Sequence, residues 1–304
     1  MIGLHLETSV LIAQTIKVPV LSHAVAETID KSRTYRGLSE YAILEYHNAV
    51  IKPIDTVIKF LRKYKDTIRV RDHIDRTSRA NPYRGHADIY GSVLTKVEYE
   101  LRSFASRYGA PDDGFEEAMS AKAVRILEDF KRGWIRRLER LADGKIKSGT
   151  SCHWVSHLRG LRPGATIKGD IQCHKDHQRC RIVDFLQSKT NELKIIKSQI
   201  DALPLKRVNT KSLDPWQTDE LRRLSQAIQN FLVNKDSAAD YDKGCRCFAD
   251  AIQALEMETF QALYTMNYKE FVLLCRALKQ NLVWQPATGD LADLDAIMFP
   301  APLV

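Results

Sequence analysis

The sequence predicts an α/β fold with a parallel sheet, and three observations carry that reading. A short apolar run, IGLHL at 2–6, leads directly into a helical pattern. Near the other end, FQALYTMN (260–267), YKEFVLLCRALKQ (268–280) and NLVW (281–284) follow the order strand, helix, strand. Between the two ends lie long segments with helical apolar spacing. Strands thus alternate with helices at both ends of the chain, and the middle is helical with a loop-rich patch.

Each element has its own signal. Residues 2–6 form a short apolar strand, and 8–15 start a helix that Thr8 or Ser9 can cap. A second helical pattern covers 39–64, where Ile43, Leu44, Val50 and Ile51 recur at helical spacing and Pro53 marks a kink or break. From 66 to 110 charges dominate, with an Asn-Pro turn at 81–82. A capped, strongly amphipathic helix is expected over 111–145, loops over 146–180, and helices over 181–203 and 216–232. A small-residue-rich helix follows in DKGCRCFADAIQALEMET, before the closing strands.

Composition bounds the function. Of 304 residues, 44% are apolar and 28% charged, which is ordinary for a globular protein. No apolar run reaches the roughly 18 residues of a membrane span. The start of the chain lacks a basic region, an apolar stretch and a small-residue cleavage site in sequence. The expectation is a cytoplasmic protein with no membrane partner. The net charge of +8 favours polyanionic partners. The six cysteines are expected to be thiols or metal ligands rather than disulfides, with Cys245 and Cys247 read as buried thiols.

Acids mark the candidate chemistry. In a parallel sheet, functional groups gather beyond the carboxyl ends of the strands. Glu7 follows the first strand and Asn267 follows the strand in YTMN. Glu45 in YAILEY and Asp250 in FADAIQALE sit on helices flanked by apolar residues. A carboxylate is costly to bury without a partner, and several in one cleft repel each other unless a divalent cation is present. Oxygen ligands of this kind suit magnesium or manganese. Each acid also has a plainer role available: Glu7 at a helix N-terminus, Glu45 in a salt bridge, Asp250 in a local pair or cap.

Four segments together resemble the PIN-domain family. HLETSVLIA is similar to its opening strand and turn, EYAILEYHNAVI to the segment carrying its second acid, and CFADAIQALEM to the segment carrying its third. ALYTMNYKEF resembles the closing strand, with Thr265 before the fourth polar position, Asn267, and Phe271 after it. The resemblance covers about 140 residues at the two ends, the size of one domain. It implies a PIN-like parallel-sheet core formed by both chain ends, 1–65 and 216–304, interrupted by a largely α-helical, basic insertion over 66–215. It implies catalytic positions at Glu7, Glu45, Asp250 and Asn267, with Glu7, Glu45 and Asp250 binding magnesium or manganese. Thr8, Ser9 and Thr265 would orient those ligands or a water. It also implies metal-dependent phosphodiester hydrolysis, most often of RNA, by a toxin or defence effector with a possible homodimer and an inhibitory partner protein. This chain has Glu7 where the family usually has Asp, and a neutral Asn267. Asp240 and Asp242 are alternative ligands, and Glu40 is a rival to Glu45 five residues away.

The insertion carries the positive charge. Residues 122–162 hold eleven Lys and Arg against four acids, and 168–211 hold ten against five. The rest of the chain is therefore acidic on balance, a division that suits a nuclease, with cations for phosphate and carboxylates for metal. The densest stretch, KRGWIRRLER, offers Lys131, Arg132, Arg136, Arg137 and Arg140 around Trp134 as a nucleic-acid contact, or else forms a solvated helix face. In SCHWVSH and CHKDHQRC, the residues Cys152, Cys173, His177 and Cys180 form one workable four-ligand set for structural zinc. A loop with incidental Cys and His is the alternative. Two other functions remain open at this point: a nucleic-acid-binding protein with weak or no catalysis, and a helical interaction protein.

Overall fold

The computed structural model describes residues 3–16, 25–26, 29, 35–80, 84–108, 114–142, 145–147, 158, 181–203, 215–235, 245–257 and 260–284. Its centre is β1, Leu4–Leu6, with every residue buried. β1 pairs in parallel with β2 (Arg36–Ser39) on one side and with β4 (Ala262–Thr265) on the other. β3 (Ile146–Lys147) adds a two-residue edge beyond β2, and β5 (Asn281–Trp284) lies beyond β4. The order is β3-β2-β1-β4-β5, parallel throughout. A parallel sheet is covered on both faces, which is why LHL and ALYT are buried along their whole length.

β2 is a strand that the sequence does not announce. RGLS has one large apolar residue, and it pairs here because β1 offers it a partner edge. Gly37 leaves room for the Phe260 ring, which a Cβ there would overlap. That ring meets the edge of the buried His5 ring at 5.4 Å.

Helix α1 (Thr8–Thr15) follows β1, and α2 (Glu40–Tyr46) follows β2 with Ser39 as its cap. A wide π-helical turn, His47–Ile51, joins α2 to α3 (Lys52–Tyr64). The predicted break at Pro53 therefore takes the form of a widened turn just before it. Proline lacks the N–H that would continue the ladder, and it fits in the first turn of α3. The charged region 66–110 is helical, in α4 (Thr67–Ala80) and α5 (Arg84–Tyr108). Residues 81–83, with the Asn-Pro turn, lie outside the described residues. α6 (Phe115–Leu141) is the predicted amphipathic helix, and it buries Ala123, Leu127, Phe130, Trp134 and Leu138.

The later elements are α7 (Ile182–Ser188), α8 (Thr190–Ala202), α9 (Pro215–Val233), α10 (Ala249–Glu256) and α11 (Tyr268–Leu278). A 3-10 turn, Cys245–Phe248, leads into α10. Cys245 is a buried thiol, whereas Cys247, read as buried from the sequence, is half-buried. Among the described residues the middle of the chain divides between two places. α4, α5 and α6 pack with α3, whereas α8 packs on α9 and α11. The stripe Leu193, Ile196 and Ile200 gives α8 the apolar face that this needs. No described helix is long and apolar enough to cross a membrane.

Candidate active site

The strand order locates the site. The chain steps outward from β1 to β2 and β3 on one side, and through β4 and β5 on the other. The order reverses between β1 and β4, and in open parallel sheets ligands bind beyond the carboxyl ends of the strands at that reversal. Glu7 follows β1 there, and Thr265 ends β4 beside it.

Glu7 closes the strand and opens the helix. Its N–H donates to the Tyr264 carbonyl at 3.0 Å, and its carbonyl accepts from Val10 N at 3.1 Å and Leu11 N at 3.2 Å. Its side chain caps α1 by accepting from Ser9 N at 2.9 Å. The same oxygen, Oε2, accepts from the hydroxyls of Ser9 and of Thr265, the latter at 2.9 Å. Burial pushes the Glu7 carboxyl above its usual range; the donors on Ser9, Thr265 and Thr8 pull it back only in part.

The two hydroxyls are oriented by the turn after β4. Ser9 Oγ accepts from Met266 N at 3.0 Å, and Thr265 Oγ1 accepts from Asn267 N at 2.8 Å. Each hydroxyl receives a backbone N–H and donates its own proton to Glu7. The β4–α11 turn is thereby fixed to the end of β1. Asn267 is half-buried at the N-terminus of α11.

A second carboxylate is tied to the same helix start. Glu45 lies near the end of α2, half-buried, and its Oε2 accepts from Thr8 Oγ1 at 2.7 Å and from Gln253 Nε2 at 2.6 Å. Thr8 and Ser9 are consecutive, yet they serve different acids: Thr8 holds Glu45 and Ser9 holds Glu7. Gln253 is fully buried on α10, and the sequence does not mark it as a site residue. Its one signal is an amide on an otherwise apolar helix face, three residues after Asp250. Positions three apart share a helix face. Half-buried Asp250 therefore lies one turn before the amide that binds Glu45, on a helix that packs against α2. Glu40 is buried in the first turn of α2, about 140° around the helix from Glu45, so the two carboxylates do not share a face.

Among the described residues no three His, Cys, Asp or Glu side chains form a ready metal cluster. What the site offers is the oxygen chemistry of two carboxylates held by the consecutive residues Thr8 and Ser9, with Asp250 on the helix that carries Gln253. That donor set fits magnesium, which commonly takes one or two carboxylates and keeps several waters. Cys152, Cys173, His177 and Cys180 lie outside the described residues, as do Asp240 and Asp242.

The expected nucleic-acid stretch on α6 is divided by the helix. Trp134 is 5% exposed and stacks on Tyr46 at 5.7 Å, so its ring is interior and is not a platform for a base. The correction follows from spacing: Phe130, Trp134 and Leu138 recur every four residues and all face inward. Lys131 is largely buried in an ion pair with Asp55, and Arg132 pairs with Asp129. Arg136 and Arg140 are exposed, and Arg137 lies over the Phe130 ring at 4.8 Å. Compared with family models, curated proteins and solved structures, the chain matches none.

Proposed function

We propose that this chain is a divalent-metal-dependent endonuclease with a PIN-like core, that RNA is its substrate, and that it acts as a cytoplasmic toxin or defence effector. The observation that carries the reading is the pair Glu7 and Glu45, braced by consecutive hydroxyls at the reversal point of a parallel sheet. In this reading Glu7, Glu45 and Asp250 hold magnesium or manganese. When bound, such a cation lowers the pKa of a coordinated water and neutralises charge on the phosphate. The protein supplies the rest. Gln253 and Thr8 fix the Glu45 carboxylate, Ser9 and Thr265 fix that of Glu7, and Asn267 stands at the N-terminus of α11, where its N–H donates to Thr265 Oγ1. A homodimer and an inhibitory protein partner belong to the same proposal.

A second reading is a nucleic-acid-binding protein with weak or no catalysis. The burial of Glu7 favours it, because burial raises the pKa of the carboxyl and a cation has to compete with the proton for its oxygens. Labelled single-stranded RNA incubated with manganese, magnesium or EDTA separates the two. The nuclease reading expects metal-dependent cleavage that Glu45→Gln and Asp250→Asn abolish while RNA binding persists. Intact binding with no cleavage by the parent protein sinks that reading in favour of the second.

A further inference from the structure

A cleft of about 850 Å³ opens among α3, α5, α6 and the end of α1. Its floor is apolar, with Val93, Val97 and Leu127 buried beneath it. Four cations line it: Lys96, Arg102, Lys122 and Arg137. Its two acids are already engaged, Glu100 with Lys96 at 3.5 Å and Asp129 with Arg132. Arg102, Lys122 and Arg137 form no ion pair among the described residues, so the cleft carries a local positive excess.

Aromatic rings sit among these charges. Tyr99 is 62% exposed on the cleft wall, which is unusual for so large a side chain. Arg137 lies over the Phe130 ring at 4.8 Å, and Lys122 over the Phe104 ring at 5.8 Å. An apolar floor, an exposed ring and cations outside ion pairs are the parts from which single-strand binding sites are made: bases stack and phosphates meet cations.

We infer that this cleft is a second binding site for single-stranded RNA, separate from the carboxylates, with Tyr99 stacking on a base and Arg102, Lys122 and Arg137 contacting phosphates. The choice of RNA as occupant rests on the nuclease reading, and the site deepens that reading by giving the substrate a second foothold. Ile16, at the end of α1, lines the cleft, and Glu7 caps the start of the same helix. Nine residues of helical rise put them about 13 Å apart along a helix that is itself mostly buried, so a strand joining them runs over the surface by a longer path. A dinucleotide is too short to reach both places. The cleft therefore contributes to holding a long substrate and leaves the chemical step alone.

The test is fluorescence anisotropy in EDTA with a labelled oligouridylate of about ten nucleotides, a length within the range of single-strand sites. Tyr99→Ala should weaken binding about tenfold, the loss expected for one stacked base. Arg102→Ala with Lys122→Ala should lower the slope of log affinity against log salt by about 1.4, at about 0.7 per phosphate contact. In manganese, these variants should raise KM for the long strand and leave dinucleotide cleavage unchanged. Affinity within twofold of the parent with an unchanged salt slope overturns the inference. So does displacement of RNA by poly-glutamate at matched charge with no effect of Tyr99→Ala, which would assign the cleft to an acidic protein. Because binding is read without metal, cleft-dependent binding without cleavage removes the nuclease and keeps the cleft. Cleavage of the long strand with no dependence on the cleft does the reverse.

Discussion

Replacing Thr265 with valine tests whether Glu7 carries its charge against the cost of burial. The swap keeps the shape of a fully buried side chain and removes one hydroxyl. Two bonds are lost: the donor to Glu7 Oε2 at 2.9 Å and the acceptor for Asn267 N at 2.8 Å. A bond to a charged group contributes about 1.5–3 kcal/mol and a neutral one about 1 kcal/mol. The added methyl returns about 0.8 kcal/mol of burial. With Glu7 ionised, the net cost is about 2–3 kcal/mol.

The cost depends on pH, and the sign is fixed by the direction in which Glu7 moves. Burial raises the folded-state pKa of Glu7. Its contribution to stability is therefore fully present below the unfolded-state pKa and is lost as pH rises through the folded one. Removing a donor to the carboxylate raises the folded value further and extends that loss to higher pH. At acid pH, below the usual glutamate range, Glu7 is protonated, the lost bond is neutral and the variant costs about 1 kcal/mol. At alkaline pH, once Glu7 has ionised, it costs the full amount of about 2–3 kcal/mol. Urea denaturation of parent and variant in EDTA at both pH values measures the difference, and other titrating groups cancel between the two proteins. A cost equal at the two pH values would refute the argument, because Thr265 would then not be bonded to a charge.

Three further outcomes follow from the packing. Trp134→Ala should cost about 3–5 kcal/mol by loss of a buried ring stacked on Tyr46, whereas Trp134→Phe should leave RNA affinity within about twofold, as checked by denaturation and anisotropy. His47 is buried beside Trp134, and that burial, reinforced by Lys52 and Lys131, lowers its pKa from 6.5 to about 4. Its contribution is thus present above pH 6.5 and lost as pH falls towards 4; at about 1.4 kcal/mol for each pH unit between those values, acid titration should show a fall of about 3 kcal/mol that His47→Leu flattens. Gly37→Ala should cost about 1–3 kcal/mol by forcing the Phe260 ring aside, and Phe260→Leu in the same chain should recover part of it in a thermal melt.

The sheet is legible in the sequence where a strand is apolar and bounded by polar residues, as in LHL, ALYT and NLVW. It is not legible at RGLS or at Ile146–Lys147, because those strands owe their existence to a neighbouring edge rather than to their own composition. The charges of 66–110 hide two helices, since a surface helix needs only a narrow apolar stripe, here Val70 and Ile74, then Val93, Val97 and Leu101. Trp134 looks like part of a basic surface when judged by its neighbours in sequence, but the residues four positions away decide its face. At the carboxylates the acids themselves are readable, as residues that a strand end and two apolar helices would not otherwise hold. Gln253 is not, because an uncharged amide in an apolar run looks like a tolerated substitution until the carboxylate it binds is seen. Whether the acids share a cation is a question of spacing between side chains, and no sequence pattern encodes it.

The bond from Thr265 to Glu7 spans 258 residues of chain, and that separation has a consequence in time. At a synthesis rate of about 5–20 residues per second, roughly 15–50 s pass between the emergence of Glu7 and that of Thr265. Over that interval α3 to α6 can form from contacts close in sequence, which are the fast ones. The end of β1 makes its bonds to Ser9 early, since those partners are two residues away, but the bond to Thr265 has to wait until β4 has been made. Until then the Glu7 carboxylate is held by local donors alone, and the turn after β4 that completes its bracing is absent.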